Sequence, residues 1–255
     1  EIAMELYDRM GGESKAKLIS IDSALVYRGM DIGTAKPHKT TLAQYPHALI
    51  DIRDPQEAYS AADFVSDVDE LLEKASKEGL VPILVGGTML YVKCLRDGIS
   101  RLPKSDPGMR DYLEQRVAQI GLGELYKELI AADPEAAANI HPNNRQRVLR
   151  AMEVFLMTGK KISTFWLENP AQNLHERLGY QLKTLAVAPK QRRDLDKRIE
   201  MRFRSMLEAG FLDEVRVLRE KSGVNADSPS MRCVGYRQAW KHLEYGTKTD
   251  EFVDE

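Results

Sequence analysis

Apolar positions recur with two different periods along this chain, and the change from one to the other divides it. Residues 17–22 and 81–85 are short apolar runs, and residues 49–52 add a third; each predicts a buried strand. Between these runs the spacing turns helical. Ile2, Leu6 and Met10 fall four apart on one side of a helix expected over residues 1–10. Ser60 and Asp63 open a second helix with a capping-box pattern; Phe64, Val65, Val68, Leu71, Leu72 and Ala75 supply its buried face, and Gly79 stops it. A third is expected over residues 88–97. Strand and helix alternating in this way predict a parallel sheet flanked by helices, an α/β core.

After Gly98 the character changes. Residues 101–180 show no strand pattern, only helical segments separated by Pro103, Pro107, Gly121, Pro134, Pro142, Gly159 and Pro170. A returning strand is expected at residues 182–188, followed by amphipathic helices over 192–209 and 211–221 around Gly210. The domain reading is therefore a discontinuous core, 1–98 with 179–255, interrupted by an all-helical insertion at 99–178.

Composition narrows the class without naming a chemistry. At 255 residues, 43% hydrophobic and 30% charged, the chain resembles an ordinary globular protein with a sizeable core. No apolar run has the length to span a bilayer and no leader is evident, so a cytoplasmic location without membrane contact is the expectation. Cys94 and Cys233 stand far apart and match no metal-ligand spacing, and the five histidines form no ligand pair on a shared helix. The net charge of −2 conceals local clustering. Residues 145–161 carry five Lys or Arg against one Glu, and residues 190–204 carry seven against three acids, an electrostatic footprint suited to phosphates.

The candidate chemistry sits at two strand ends. Asp22 follows the run Leu18-Ile19-Ser20-Ile21, where an open parallel sheet places its ligand crevice. Gly86-Gly87-Thr88 ends the second run, with glycines that admit a ligand close to the backbone and a hydroxyl at a helix start. Each feature alone has an ordinary explanation: Asp22 as a turn cap, Gly-Gly-Thr as a tight βα turn.

Five separated motifs then carry a resemblance: residues 20–37, 47–55 and 85–91, the Ile140 to Glu153 segment with His141-Pro142-Asn143-Asn144-Arg145, and Arg232-Cys233-Val234-Gly235-Tyr236-Arg237. In colinear order over essentially the whole chain, they resemble the bacterial tRNA isopentenyltransferase, or tRNA dimethylallyltransferase, family. The resemblance implies a P-loop NTPase-like core and transfer of a dimethylallyl group from dimethylallyl pyrophosphate to N6 of the adenosine beside the tRNA anticodon. It implies Asp22 as general base, Thr88 at the bridging oxygen of the pyrophosphate, and Arg147 and Arg202 as pyrophosphate-binding residues. Contacts to the tRNA anticodon stem-loop are implied for Asp22, Ser23, Ala24, Leu25, Thr88, Arg110, Gln146, Arg147, Val148, Leu149, Arg150, Arg232, Cys233, Val234, Gly235, Tyr236 and Arg237, with Tyr236 suited to stacking. Mg²⁺ is implied as cofactor, its ligands unknown, and a monomer is expected.

Family members carry a phosphate loop before the helix at residues 1–10 and a basic tail beyond Asp254-Glu255. The expectation is thus that the chain is the ordered part of a longer protein and by itself binds the prenyl donor poorly. Asn144 stands where the family has Asp, keeping a helix cap while removing a charge. Three other readings stay open: an adenylate isopentenyltransferase acting on free adenine nucleotides, a P-loop nucleotide kinase, and a non-catalytic RNA-binding module. The helical insertion and the 232–237 motif speak against the first, phosphoryl transfer from labelled ATP would reveal the second, and Asp22 with Thr88 would have no purpose in the third.

Overall fold

A computed structural model describes residues 1–246. They form two compact units, one made of Glu1–Leu95 with the chain from Tyr180 onward, the other of Arg96–Gly179.

The first unit begins with α1 (Ile2–Met10), β1 (Ala16–Ile21), α2 (Lys39–Gln44), β2 (His47–Ala48), α3 (Ala61–Glu78), β3 (Val81–Gly86) and α4 (Met89–Asp97), whose end lies at the boundary. β1 is the middle strand of the order β2-β1-β3, and both pairings are parallel, with Leu18 opposite His47 on one side and Ile83 on the other. A strand flanked on both edges and covered on its faces needs apolar residues at successive positions. Leu18 and Ile19 are accordingly both fully buried. α3 follows its pattern closely: Ser60 and Asp63 exchange capping hydrogen bonds, Phe64, Val65, Val68, Leu72 and Ala75 are buried, and Gly79 ends the helix in a left-handed conformation.

The second unit holds α5 (Pro107–Ile120), α6 (Leu122–Ala132), α7 (Pro134–Asn139), α8 (Arg145–Thr158), α9 (Ile162–Glu168) and α10 (Leu174–Leu178). Leu113, Leu125, Leu129, Val148, Leu149 and Val154 form the centre of its own core. Asp106, Asp133, Asn144 and Asn173 cap four of these helices through their side chains, which explains why the segments break where they do. The chain then re-enters the first unit and adds α11 (Arg192–Glu208), α12 (Phe211–Arg219) and α13 (Tyr236–Tyr245).

Three expectations need correction. Residues 49–52 are a loop: Leu49 and Asp51 take positive φ, and the amides of Asp51 and Ile52 donate to Leu25 and Val26 carbonyls, so the pairing partner is the loop after Asp22. Residues 182–188 form no strand, and Leu185 and Val187 are exposed. Alternating apolar residues make a strand only where a neighbouring edge accepts their backbone hydrogen bonds, and none does so among the described residues. In α1 the buried side chain is Tyr7, with Ala3 and Met10 against the same core, whereas Ile2 and Leu6 are exposed. Positions 3, 7 and 10 also share a helix face, and the aromatic ring decided between the two faces.

Candidate active site

The loop leaving β1 folds back over its first residue. Asp22 is half-buried; its Oδ1 accepts from the backbone amides of Ala24 at 2.8 Å and Leu25 at 3.1 Å. Oδ2 accepts no hydrogen bond among the described residues. The turn-capping role and a free acceptor thus belong to the two oxygens of one carboxylate.

β3 ends beside β1 because position 86 carries no side chain: a Cβ there would lie 2.2 Å from the carbonyl oxygen of Ile21. The chain continues through Gly87 to Thr88, whose Oγ1 accepts from the amide of Ser23 at 3.0 Å and lies 3.3 Å from the Ser23 hydroxyl. The Thr88 amide in turn donates to Ile21 at 3.3 Å. The structure therefore joins Asp22 and Thr88, the two strand-end residues, through Ser23 at the carboxyl ends of parallel strands.

The segment after the 3₁₀ turn Pro229–Arg232 lies against the same loop. Burial first, and the negative charge of Asp22 second, push the Cys233 thiol up to about 11. Burial, with Cys233 as the next contributor, pushes Tyr27 up to about 12. Tyr91 is likewise raised, by burial first and by Tyr27 and Asp22 after it, and its ring stacks on Phe64 at 4.2 Å and meets Tyr59 edge-on at 6.3 Å. Burial thus favours the neutral forms of the Cys233 thiol and the Tyr91 phenol, two groups that feel the Asp22 charge.

Two charged side chains hold the loop, and sequence reading missed both. Lys36 is almost entirely buried and donates to the Tyr27 carbonyl at 2.8 Å, Asp31 at 2.7 Å and Asp51 at 2.5 Å. Glu214 on α12 accepts from the amides of Asp31, Ile32 and Gly33 at 2.9, 2.7 and 3.2 Å, and from the Tyr236 hydroxyl. Glu214 has no local signal, because the amides it holds lie far away in sequence, whereas Lys36 takes Tyr27 and Asp31 from its own loop.

The remaining candidates divide by exposure. Ser23, Arg202, Arg232, Val234 and Arg237 are exposed in the first unit, and Ala24, Leu25, Cys233 and Gly235 are half-buried. In the second unit Gln146 and Arg147 are exposed in the first turn of α8, where Asn144 accepts from the Arg147 amide. Arg150 donates to Glu153 at 2.7 Å and to the Pro103 carbonyl, and Arg110 lies 3.8 Å from Glu153. These two arginines are tied into the helical unit. Three side chains need correction as direct contacts: Val148 and Leu149 belong to the core of that unit, and Tyr236 is fully buried, edge-on to Phe211 at 5.0 Å. A ring enclosed in this way has no free face for a base to stack on.

The family model described as IPP transferase matches residues 25–255. The chain belongs to the IPP transferase family. Relatives of this family member include the tRNA dimethylallyltransferase of Chromohalobacter salexigens, 49% identical over 95% of this chain and 75% of that one. The tRNA dimethylallyltransferase 2 of Hahella chejuensis is 46% identical over 100% of this chain and 78% of its own length. Among solved structures, the tRNA isopentenylpyrophosphate transferase of Bacillus halodurans shares 35% identity with a TM-score of 0.63, covering 99% of this chain and 75% of that one. A eukaryotic dimethylallyltransferase acting on tRNA shares the fold, with a TM-score of 0.73 at 24% identity, over 99% of this chain and 61% of its own. The IPP transferase core is thus α/β with the P-loop-like fold of these tRNA prenyltransferases, carried here by a small parallel sheet and many helices. No helix among the described residues is long and apolar enough to cross a membrane.

Proposed function

We propose that this chain transfers the dimethylallyl group of dimethylallyl pyrophosphate to N6 of the adenosine beside a tRNA anticodon and releases pyrophosphate. The observation that carries the reading is the Asp22–Ser23–Thr88 junction, an open carboxylate oxygen beside a fixed hydroxyl, in a chain of the IPP transferase family.

The chemistry asks for what the junction offers. An adenine amino group is a weak nucleophile because its lone pair is delocalised into the ring. Oδ2 of Asp22 orients N6 and accepts its proton as the new carbon–nitrogen bond forms, while Oδ1 is held by two amides. Thr88 donates to the bridging oxygen of the pyrophosphate as negative charge develops there. The exposed Arg147 and Arg202 have side chains without an ion-pair partner among the described residues, and their planar guanidiniums suit a pyrophosphate. RNA contacts fall to the exposed or half-exposed candidates: Ser23, Ala24, Leu25, Gln146 and the Arg232 to Arg237 segment without the Tyr236 ring. The target base is drawn out of its loop to reach Asp22.

Mg²⁺ enters only from the family. Among the described residues no group of three or more His, Cys, Asp or Glu stands together, and no step is routed through the metal. A helical unit at residues 99–178 that contacts tRNA, a monomeric state and a cytoplasmic location complete the proposal.

The test is transfer of labelled dimethylallyl to an anticodon stem-loop by the full-length protein and its Asp22→Ala form. Transfer that falls about a hundredfold or more in the variant, with RNA binding retained, is expected for loss of a general base. Transfer to free adenine nucleotides alone would move the assignment to the nucleotide-prenylating enzymes.

A further inference from the structure

Glu214 lies in the first turn of α12, far in sequence from the loop it holds. Its Oε2 accepts from the amides of Asp31 and Ile32, and its Oε1 from Gly33 and from the Tyr236 hydroxyl. Three successive amides converging on one anion make a concavity of the kind proteins use for phosphate groups. Here a carboxylate of the same chain fills it. The contact is close on both sides, since a Cβ at Gly33 would lie 2.2 Å from the Phe211 ring and 2.7 Å from the Tyr236 ring.

The two segments joined by this carboxylate flank the same residue. One is the loop that starts at Asp22. The other is the 232–237 segment, whose Cys233 senses the Asp22 charge and whose Tyr236 opens α13. Neither segment is a strand, and the loop reaches Gly33 without regular structure, so their spacing depends on side-chain ties. We propose that Glu214 is a positioning residue for the RNA substrate, fixing the gap between the Asp22 loop and the Arg232 to Arg237 segment into which the target nucleotide enters. The proposal rests on the prenyl-transfer reading above.

The test is steady-state kinetics of the full-length protein, with the stem-loop RNA and dimethylallyl pyrophosphate varied separately, for wild type, Glu214→Ala and Glu214→Gln. A gap set loosely weakens RNA engagement alone, so Glu214→Ala should raise KM for the RNA about tenfold and leave KM for dimethylallyl pyrophosphate within about twofold. Glu214→Gln keeps one acceptor oxygen and should recover part of that loss. A merely structural role lowers the active fraction and moves neither KM. An unmoved RNA KM in Glu214→Ala, or both KM values rising together, overturns the proposal. If Glu214→Ala does not fold, Tyr236→Phe removes one hydroxyl and should raise the RNA KM about threefold, and no change there overturns it equally. A wild type silent with RNA overturns the functional reading itself, whereas an active wild type with unaffected variants overturns this inference alone.

Discussion

Glu153 in the helical unit and Glu214 in the sheet-bearing unit each gather donors from separate segments, but from opposite kinds of partner. Glu153 is fully buried and takes the Ser105 hydroxyl at 2.5 Å and the Asp106 amide at 2.9 Å on one oxygen, and the Arg150 guanidinium on the other, with Arg110 nearby. Glu214 accepts only from neutral amides and a phenol. The first carboxylate cancels charge. Arg150 is thereby tied to Glu153, with Arg110 3.8 Å from the same carboxylate, while Arg147, on the same helix as Arg150, stays exposed. The second organises a loop without using up any cation.

Breaking the first hub should give the largest effect. Glu153→Ala leaves two partly buried guanidiniums without their carboxylate, and a loss of about 3 kcal/mol is expected by denaturant unfolding. A loss below about 1 kcal/mol would show that Arg150 and Arg110 are satisfied without it. Crowding the second hub tests the same comparison from the other side. Gly33→Ala pushes a methyl group into the Phe211 and Tyr236 rings and should cost about 2 kcal/mol, read as a lowered unfolding midpoint. An unchanged midpoint would mean that the rings shift freely, and the Glu214 clamp would then be soft.

The smallest effect separates the units by acid. Burial alone would raise Glu153, but hydrogen bonds from Ser105, Arg150 and the Asp106 amide, with the Arg150 charge, hold it below its ordinary value of 4.5. Asp133 is held below 3.8 in the same manner, burial being outweighed by the amide and hydroxyl of Ser163 and the amide of Ala136. Both belong to the helical unit. A carboxyl whose pKa is lower in the folded state contributes fully above its unfolded value and loses that contribution as pH falls through the folded one. Below about pH 4 the helical unit should therefore loosen first, visible as earlier loss of amide protection in residues 96–179 than in the sheet.

Much of this arrangement was legible in the order of residues because it is local. The cap at Ser60, the stop at Gly79, the buried β1 and the breakers of the helical unit all act within a turn or two of themselves. Asp22 and Thr88 were legible for a related reason: each follows a recognisable strand, and parallel strands bring their ends together. What escaped depends on partners far away in sequence. Leu185 and Val187 look like strand residues, yet no edge receives them among the described residues; Tyr236 looks like a stacking platform until Phe211 closes over it. Glu214 reads as one more surface acid on an amphipathic helix, and only the folded loop turns three amides toward it.

Lys36 gives the same loop a chemical signature. Its amine is enclosed by a carbonyl and two carboxylates, with 4% of its side chain accessible. An amine so enclosed lacks the approach path that acylation requires, so amine-reactive labels and lysine acetylation are directed to the other lysines of the chain while the loop is closed. A tag on Lys36 would be a record that the loop had opened at least once.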